Sequence, residues 1–163
     1  MTDDEAFAEF AHAQAERLRT TAFMLCRDWH LAQDLTQTAL TRLYLGWRKA
    51  AYADNLVAYA QKILLRAYLD HRRRRSSTES ATGVLREGGY RESPDLRLTM
   101  LDALAQLPPR DRAIVILRYF EDYSVEQTAE VLDVPASVVK SQTKRSLAKL
   151  RELLAADQLA LFG

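Results

Sequence analysis

The chain has 163 residues, 48% hydrophobic and 28% charged, enough for one ordinary domain or two small ones and too apolar for a disordered polymer. Its 23 lysines and arginines nearly cancel its 22 acids, so the net charge of +1 by itself points to no polyanionic partner. No apolar run approaches the ~20 residues a membrane span requires, and the acidic start MTDDEAFAEF lacks the pattern of a secretory signal, so a cytoplasmic protein without membrane insertion is expected.

Helical spacing dominates, and no strand alternation or hairpin dipeptide interrupts it. The first helix, over about 4–26, aligns Phe7, Phe10, Ala11, Leu18, Ala22 and Leu25 on one side. It contains the lone cysteine, Cys26, which reads as a small buried hydrophobe and forms no internal disulfide. The second, over about 31–47, repeats Leu31, Leu35, Ala39, Leu43 and Trp47. The third, over about 55–75, uses Leu56, Tyr59, Ala60, Ile63, Leu64, Ala67 and Tyr68, with Asp54 or Asn55 to cap its start. Three helices of this length close one small core, giving a first domain over 1–76. Composition then shifts to SSTESATGVLREGGYRESP, and residues 77–93 read as a flexible linker.

A second helical domain is expected over 94–158. Ser93 and Pro94 supply a cap and a first-turn proline, followed by Leu96, Met100, Leu101, Leu104 and Leu107. Pro108-Pro109 ends that helix and starts another carrying Ile114, Val115, Leu117 and Phe120 on its core side. Ser124 and Gln127 fit a capping box. The helix they open runs to about Leu132, and after Asp133-Val134-Pro135 a last helix spans about Ala136–Leu154. The fold class is therefore all-α: two small helical domains joined by a linker, the second a helix-turn-helix.

Positive charge is concentrated in two places. In the last helix, Val139, Thr143, Ser146, Leu147 and Leu150 form the core stripe, leaving Ser137, Lys140, Ser141 and Lys144 outward with Arg145 at the edge; no acid lies between Val134 and Arg151. A face of this kind fits the major groove, where cations meet phosphates and guanine acceptors. The second concentration is HRRRR at 71–75, on a helix that also carries Lys62 and Arg66, with Tyr52 and Tyr59 close by. Cations interleaved with aromatics suit single-stranded DNA, whose bases stack while its phosphates are neutralised.

These segments resemble the extracytoplasmic-function group of bacterial sigma-70 factors. AQDLTQTALTRLYLGW resembles region 2.2, which implies docking on the clamp helices of the polymerase largest subunit through Asp34, Gln37, Thr38 and Arg42. DNLVAYAQKILLRAYLDHRRRR is similar to regions 2.3 and 2.4, which melt and read the −10 element. The residues this implies are Tyr52, Asn55, Tyr59, Lys62, Arg66, Arg72 and Arg73, with a pocket for a flipped base near Arg48–Asn55. The stretch from Leu101 to Leu153 resembles regions 4.1 and 4.2, implying −35 contacts by Ser137, Lys140, Ser141, Gln142, Lys144 and Arg145. Where the family often has Gly-Thr-Val-Lys-Ser-Arg, this chain reads Ser137-Val138-Val139-Lys140-Ser141-Gln142.

The implied partners are core RNA polymerase and promoter DNA, with room for an anti-sigma factor. The alternative reading is a conventional helix-turn-helix regulator without sigma activity. An enzyme is not expected: His12, His30 and His71 are scattered, no metal-ligand spacing or glycine-rich phosphate loop is present, and no cofactor is implied.

Overall fold

In a computed structural model of the chain, the backbone is described for residues 1–82 and 99–162, and the side chains for 1–75 and 99–156. The first helix, α1 (Asp3–Cys26), opens with a capping box in which Thr2 Oγ1 accepts from the Glu5 amide and Glu5 accepts from the Thr2 amide. Asp3, Asp4 and Glu5 in its first turn complement the positive end of the helix dipole. Arg27, at φ 59°, closes α1 in the left-handed conformation. Asp28 Oδ1 then accepts from the amides of His30 and Leu31 to start α2 (Trp29–Leu45). A short α3 (Trp47–Ala50) follows, and the Asn55 side chain accepts from the Ala58 amide at the start of α4 (Leu56–Thr82). Helix α4 thus continues past the expected end near residue 75.

The expected linker over 77–93 and the expected Ser93-Pro94 start fall largely on residues outside the described ones. The next described helix is α5 (Met100–Ala105), where Thr99 and Asp102 form a capping box. Pro109 then occupies the first turn of α6 (Pro109–Val115). This helix widens into a π-helical turn, Ile116–Phe120, with the Glu121 amide donating to Ile116 O five residues back at 3.0 Å. The change of register corrects one expectation: Ile116 and Leu117 stay fully buried, but Phe120 points outward, half exposed, instead of joining the core. Helices α7 (Val125–Leu132) and α8 (Ala136–Phe162) complete the second half.

The helices α1, α2 and α4 pack on one another, and α8 packs on α5, α6 and α7. The two halves also pack on each other: α4 lies against α6 and α7, and α1 against α5, α6 and the π turn. One continuous apolar cluster runs from Leu18, Leu25, Leu43, Leu64 and Tyr68 to Leu104, Val115, Leu117 and Leu150. A smaller one, Ile114, Ala129 and Val139 with Val134 packed against it, sits inside the helix-turn-helix.

At the junction of the halves lies Arg112, only 2% exposed. Its Nε donates to Leu104 O at 2.9 Å, and its Nη2 to Ala105 O at 3.0 Å and Leu107 O at 2.9 Å. Its Nη1 donates to Tyr68 Oη at 2.9 Å and to Leu25 O. Apart from Leu107 O, just past α5, the carbonyls belong to the C-terminal ends of α1 and α5, where helices leave acceptors unsatisfied and carry partial negative charge. A planar fork of donors matches such a set; an ammonium, with three donors on one nitrogen, does not. We therefore expect both Arg112→Met and Arg112→Lys to destabilise the chain by about 3 kcal/mol, because buried carbonyls lose their partners. Urea denaturation followed by circular dichroism measures this; a loss under about 1 kcal/mol for either variant contradicts it.

Candidate nucleic-acid interface

The turn between α7 and α8 is built from local chemistry. The Ser124 side chain accepts from the Gln127 amide at 3.0 Å, and Gln127 returns the bond to the Ser124 amide at 2.8 Å. At the other end of α7, Asp133 adopts φ 58° and ψ 48°. The Asp133 amide donates to Glu130 O and the Val134 amide to Ala129 O, the paired bonds of a Schellman cap. Val134 packs with Ala129, so the cap fixes the direction in which α8 leaves the turn.

On α8, Val139, Ser146 and Leu150 are buried and Thr143 and Leu147 half-buried, as the stripe predicts. Ser137, Lys140, Ser141, Lys144 and Arg145 are exposed. Arg145 also reaches the nearly buried Asp111 carboxylate at 3.3 Å. Gln142 departs from the expectation. It is 8% exposed and lies on the packed side, because it is three residues after Val139 and four before Ser146, both fully buried. Its Oε1 has no hydrogen-bond partner among the described residues. In this packing Gln142 is a core-side residue, not part of the exposed cationic face.

The second group lies along α4. Asn55, Tyr59, Lys62, Arg66 and Arg73 are separated by four, three, four and seven residues, which places them on one side of the helix. Asn55, Arg66 and Arg73 are exposed; Tyr59, Lys62 and Arg72 are half-buried; Tyr52, before the helix, is almost fully exposed. Arg73 pairs with Asp70, and Arg66 reaches Asp133 at 3.7 Å. The fold therefore brings Arg66, Arg72 and Arg73 of the first half against Asp111, Asp133, Gln142 and Arg145 of the second, around a cleft of about 840 Å³. Sequence reasoning did not select Asp133, which reaches Arg66 across this cleft, or Asp111, which pairs with Arg145 within the second half; only their positions in space reveal them.

The third group is on α2. Asp34, Gln37, Thr38 and Arg42 are all exposed and share one face, lining a shallow depression with Thr41. Arg42 lies 3.9 Å from Asp70 of α4. Below this face Leu35, Thr36, Ala39 and Leu43 are buried, so packing fixes the rotation of α2 and presents the polar side outward.

A family model described as sigma-70 region 2 matches residues 11–78, and one described as sigma-70 region 4 matches residues 97–150. The chain belongs to the sigma-70 family of RNA polymerase sigma factors. Its relatives include the RNA polymerase sigma-E factor of Streptomyces coelicolor, 34% identical over 156 residues that cover 94% of this chain and 88% of the relative. The ECF RNA polymerase sigma factor SigW of Bacillus subtilis is 23% identical, covering 93% of this chain and 90% of the relative. Among solved structures, the sigma factor RpoE in complex with the anti-sigma factor NepR from Bartonella quintana superposes with a TM-score of 0.78. It is 24% identical, and the match covers 94% of this chain and 99% of that one. CnrH, in complex with the cytosolic domain of CnrY, gives a TM-score of 0.68 at 19% identity, covering 94% of this chain and 90% of that one. These two likenesses bear on the fold. As an extracytoplasmic-function sigma factor, the chain binds core RNA polymerase and directs promoter-specific initiation through the −10 and −35 elements. The conventional regulator reading is not favoured.

The burial of Gln142 has a measurable consequence. Gln142→Leu removes an unpartnered buried oxygen, so the melting temperature should hold or rise and −35 affinity should stay within about twofold. Differential scanning calorimetry and promoter binding by the holoenzyme check this; a tenfold loss of affinity returns Gln142 to the DNA face.

Proposed function

We propose that the sigma factor divides its work among three surfaces. Ser137, Lys140, Ser141, Lys144 and Arg145 of α8 contact −35 duplex. Tyr52, Asn55, Tyr59, Lys62, Arg66, Arg72 and Arg73 engage the opened −10 strand. Asp34, Gln37, Thr38 and Arg42 dock on core polymerase. The observation that carries this reading is the exposure of Lys140, Ser141 and Lys144 on one side of a helix whose other side is packed, immediately after a capped turn. In a major groove such a side places cations against phosphates, and the small hydroxyl of Ser141 allows close approach to base edges. Along α4, a flipped base costs a few kcal/mol to unstack, which Tyr52 or Tyr59 offsets by stacking and Asn55 by hydrogen bonding.

The protein acts without catalytic chemistry of its own: binding energy selects the promoter, and the polymerase performs the reaction. Among the described residues no helix is long and apolar enough to cross a membrane. An anti-sigma factor belongs to the same reading as a partner, since one structural neighbour, the sigma factor RpoE, is solved in complex with the anti-sigma factor NepR.

Run-off transcription with purified core polymerase tests the assignment. Lys140→Ala with Lys144→Ala should weaken promoter binding and reduce the slope of log affinity against log salt by about 2, because each phosphate contact releases counterions at about 0.9 per charge. An unchanged slope removes α8 from the DNA. Asp34→Ala with Gln37→Ala should lower core polymerase affinity at least about fivefold in a pull-down while helicity is retained, since truncating a polar contact in an interface costs on the order of 1 kcal/mol. Normal affinity removes the α2 docking face.

A further inference from the structure

The cleft between α4 and the turn that precedes α8 combines three kinds of lining. Its volume, about 840 Å³, lies in the range of small-molecule sites, about 300–1,000 Å³. Leu65, Leu69, Val131 and Val134, with Pro108 and Pro109, contribute apolar surface. Around them stand five arginines, Arg66, Arg72, Arg73, Arg110 and Arg145, and three aspartates, Asp70, Asp111 and Asp133, which leaves a net charge of +2. The acids do not use up the cationic capacity. Asp70 holds Arg73, and Asp111 lies 3.3 Å from Arg145. Asp133 lies 3.7 Å from Arg66, beyond hydrogen-bond distance, and both side chains are exposed, so water screens the pair and Arg66 is held weakly. Arg110 is exposed and meets no carboxylate among the described residues. A guanidinium fork takes two phosphate oxygens in one plane, so arginines converging on a cleft from two helices fit a phosphorylated ligand.

Gln142 narrows the class of ligand. It lines the cleft, is 8% exposed, and its Oε1 has no hydrogen-bond partner among the described residues. Buried side-chain acceptors are partnered in the large majority of cases, and one left alone costs stability. An N–H donor on a molecule seated in the cleft would give this oxygen its partner. Cations for a phosphate, apolar side chains for a ring and an acceptor for an amino group, gathered around one cleft, are what a nucleotide requires.

We propose that this cleft binds a nucleotide whose base carries an exocyclic amino group. Arg66 and Arg110 hold its phosphates, the apolar side chains face its base, and Gln142 Oε1 accepts from the amino group. An occupied cleft engages Arg66, Arg72, Arg73 and Arg145, which the proposed function gives to DNA, so the ligand and the promoter compete for them. That competition rests on the surface assignments above; binding itself does not, and it is read on the free chain without DNA. Isothermal titration calorimetry of the full-length chain at about 0.15 M salt, where distant charges are screened, measures it with ATP, GTP, CTP and UTP. At least one of ATP, GTP and CTP should bind at a single site, about fivefold tighter than UTP, which carries the same phosphates without the amino group, as one hydrogen bond accounts for. Gln142→Leu should bring the preferred nucleotide down to the affinity of UTP. Arg66→Ala with Arg110→Ala should weaken all four nucleotides about tenfold, since charge-assisted hydrogen bonds to phosphate are lost, with circular dichroism showing that the helices persist. Lys140→Ala with Lys144→Ala, off the cleft, should leave nucleotide affinity within about twofold. No binding by any of the four, UTP bound as tightly as the others, or a preference that survives Gln142→Leu each overturns the site. A loss in the lysine variant and not in the arginine variant does so too, because it traces binding to the cationic side of α8. A failure of the surface assignments shows instead as normal promoter binding by the Lys140/Lys144 variant in the holoenzyme.

Discussion

Burying one guanidinium is the constraint around which the two halves are arranged. A charge removed from water is tolerated only when its donors are matched by fixed acceptors. Arg112 meets that condition by drawing the C-terminal carbonyls of α5, the Leu25 carbonyl at the end of α1 and the Tyr68 hydroxyl of α4 to one point. No single helix supplies this set, so satisfying the charge requires α1, α4, α5 and α6 to converge. The apolar cluster that continues from Leu25 and Tyr68 into Leu104 and Leu117 follows from the same convergence.

Around that point the electrostatics are layered. Arg27 with Asp102, both largely buried, and the shielded Glu121 carboxylate with the half-exposed Arg17 and with Thr21 join the halves near the core. At the cleft, Arg66 pairs with Asp133, both exposed, and the exposed Arg145 reaches the nearly buried Asp111. Exposed pairs in water contribute about 0–1 kcal/mol, so Arg66 with Asp133 adds less than the pairs whose carboxylates are shielded. The cationic side of α8 around Lys140 and Lys144 stands apart from both layers and stays open to solvent.

Much of the fold was legible in the sequence because it is written in local terms. The capping box at Ser124 and Gln127, the cap at Asn55, the proline opening α6 and the stripe of Val139, Ser146 and Leu150 each involve residues within a few positions of one another. The family resemblance was carried by similarly continuous runs. The misses share a cause. Phe120 turned outward because a π turn shifted the register, and π turns leave no periodic mark in five residues. Gln142 was assigned by its place in a motif, while its burial depends on what packs against that side of α8. Nothing within its own segment marks Arg112 for burial, because several of its acceptors lie on α1 and α4.

By itself the sequence determined the helical class, the composition change after residue 76, the helix-turn-helix and the side of α8 that carries charge, since periodicity and capping are properties of neighbouring residues. Only the tertiary structure decided how the halves meet, which arginines are held by acids and that one of them is buried. Those outcomes depend on pairs such as Arg17 and Glu121, 104 positions apart, whose encounter is set by the sum of packing along the whole chain and by no local pattern.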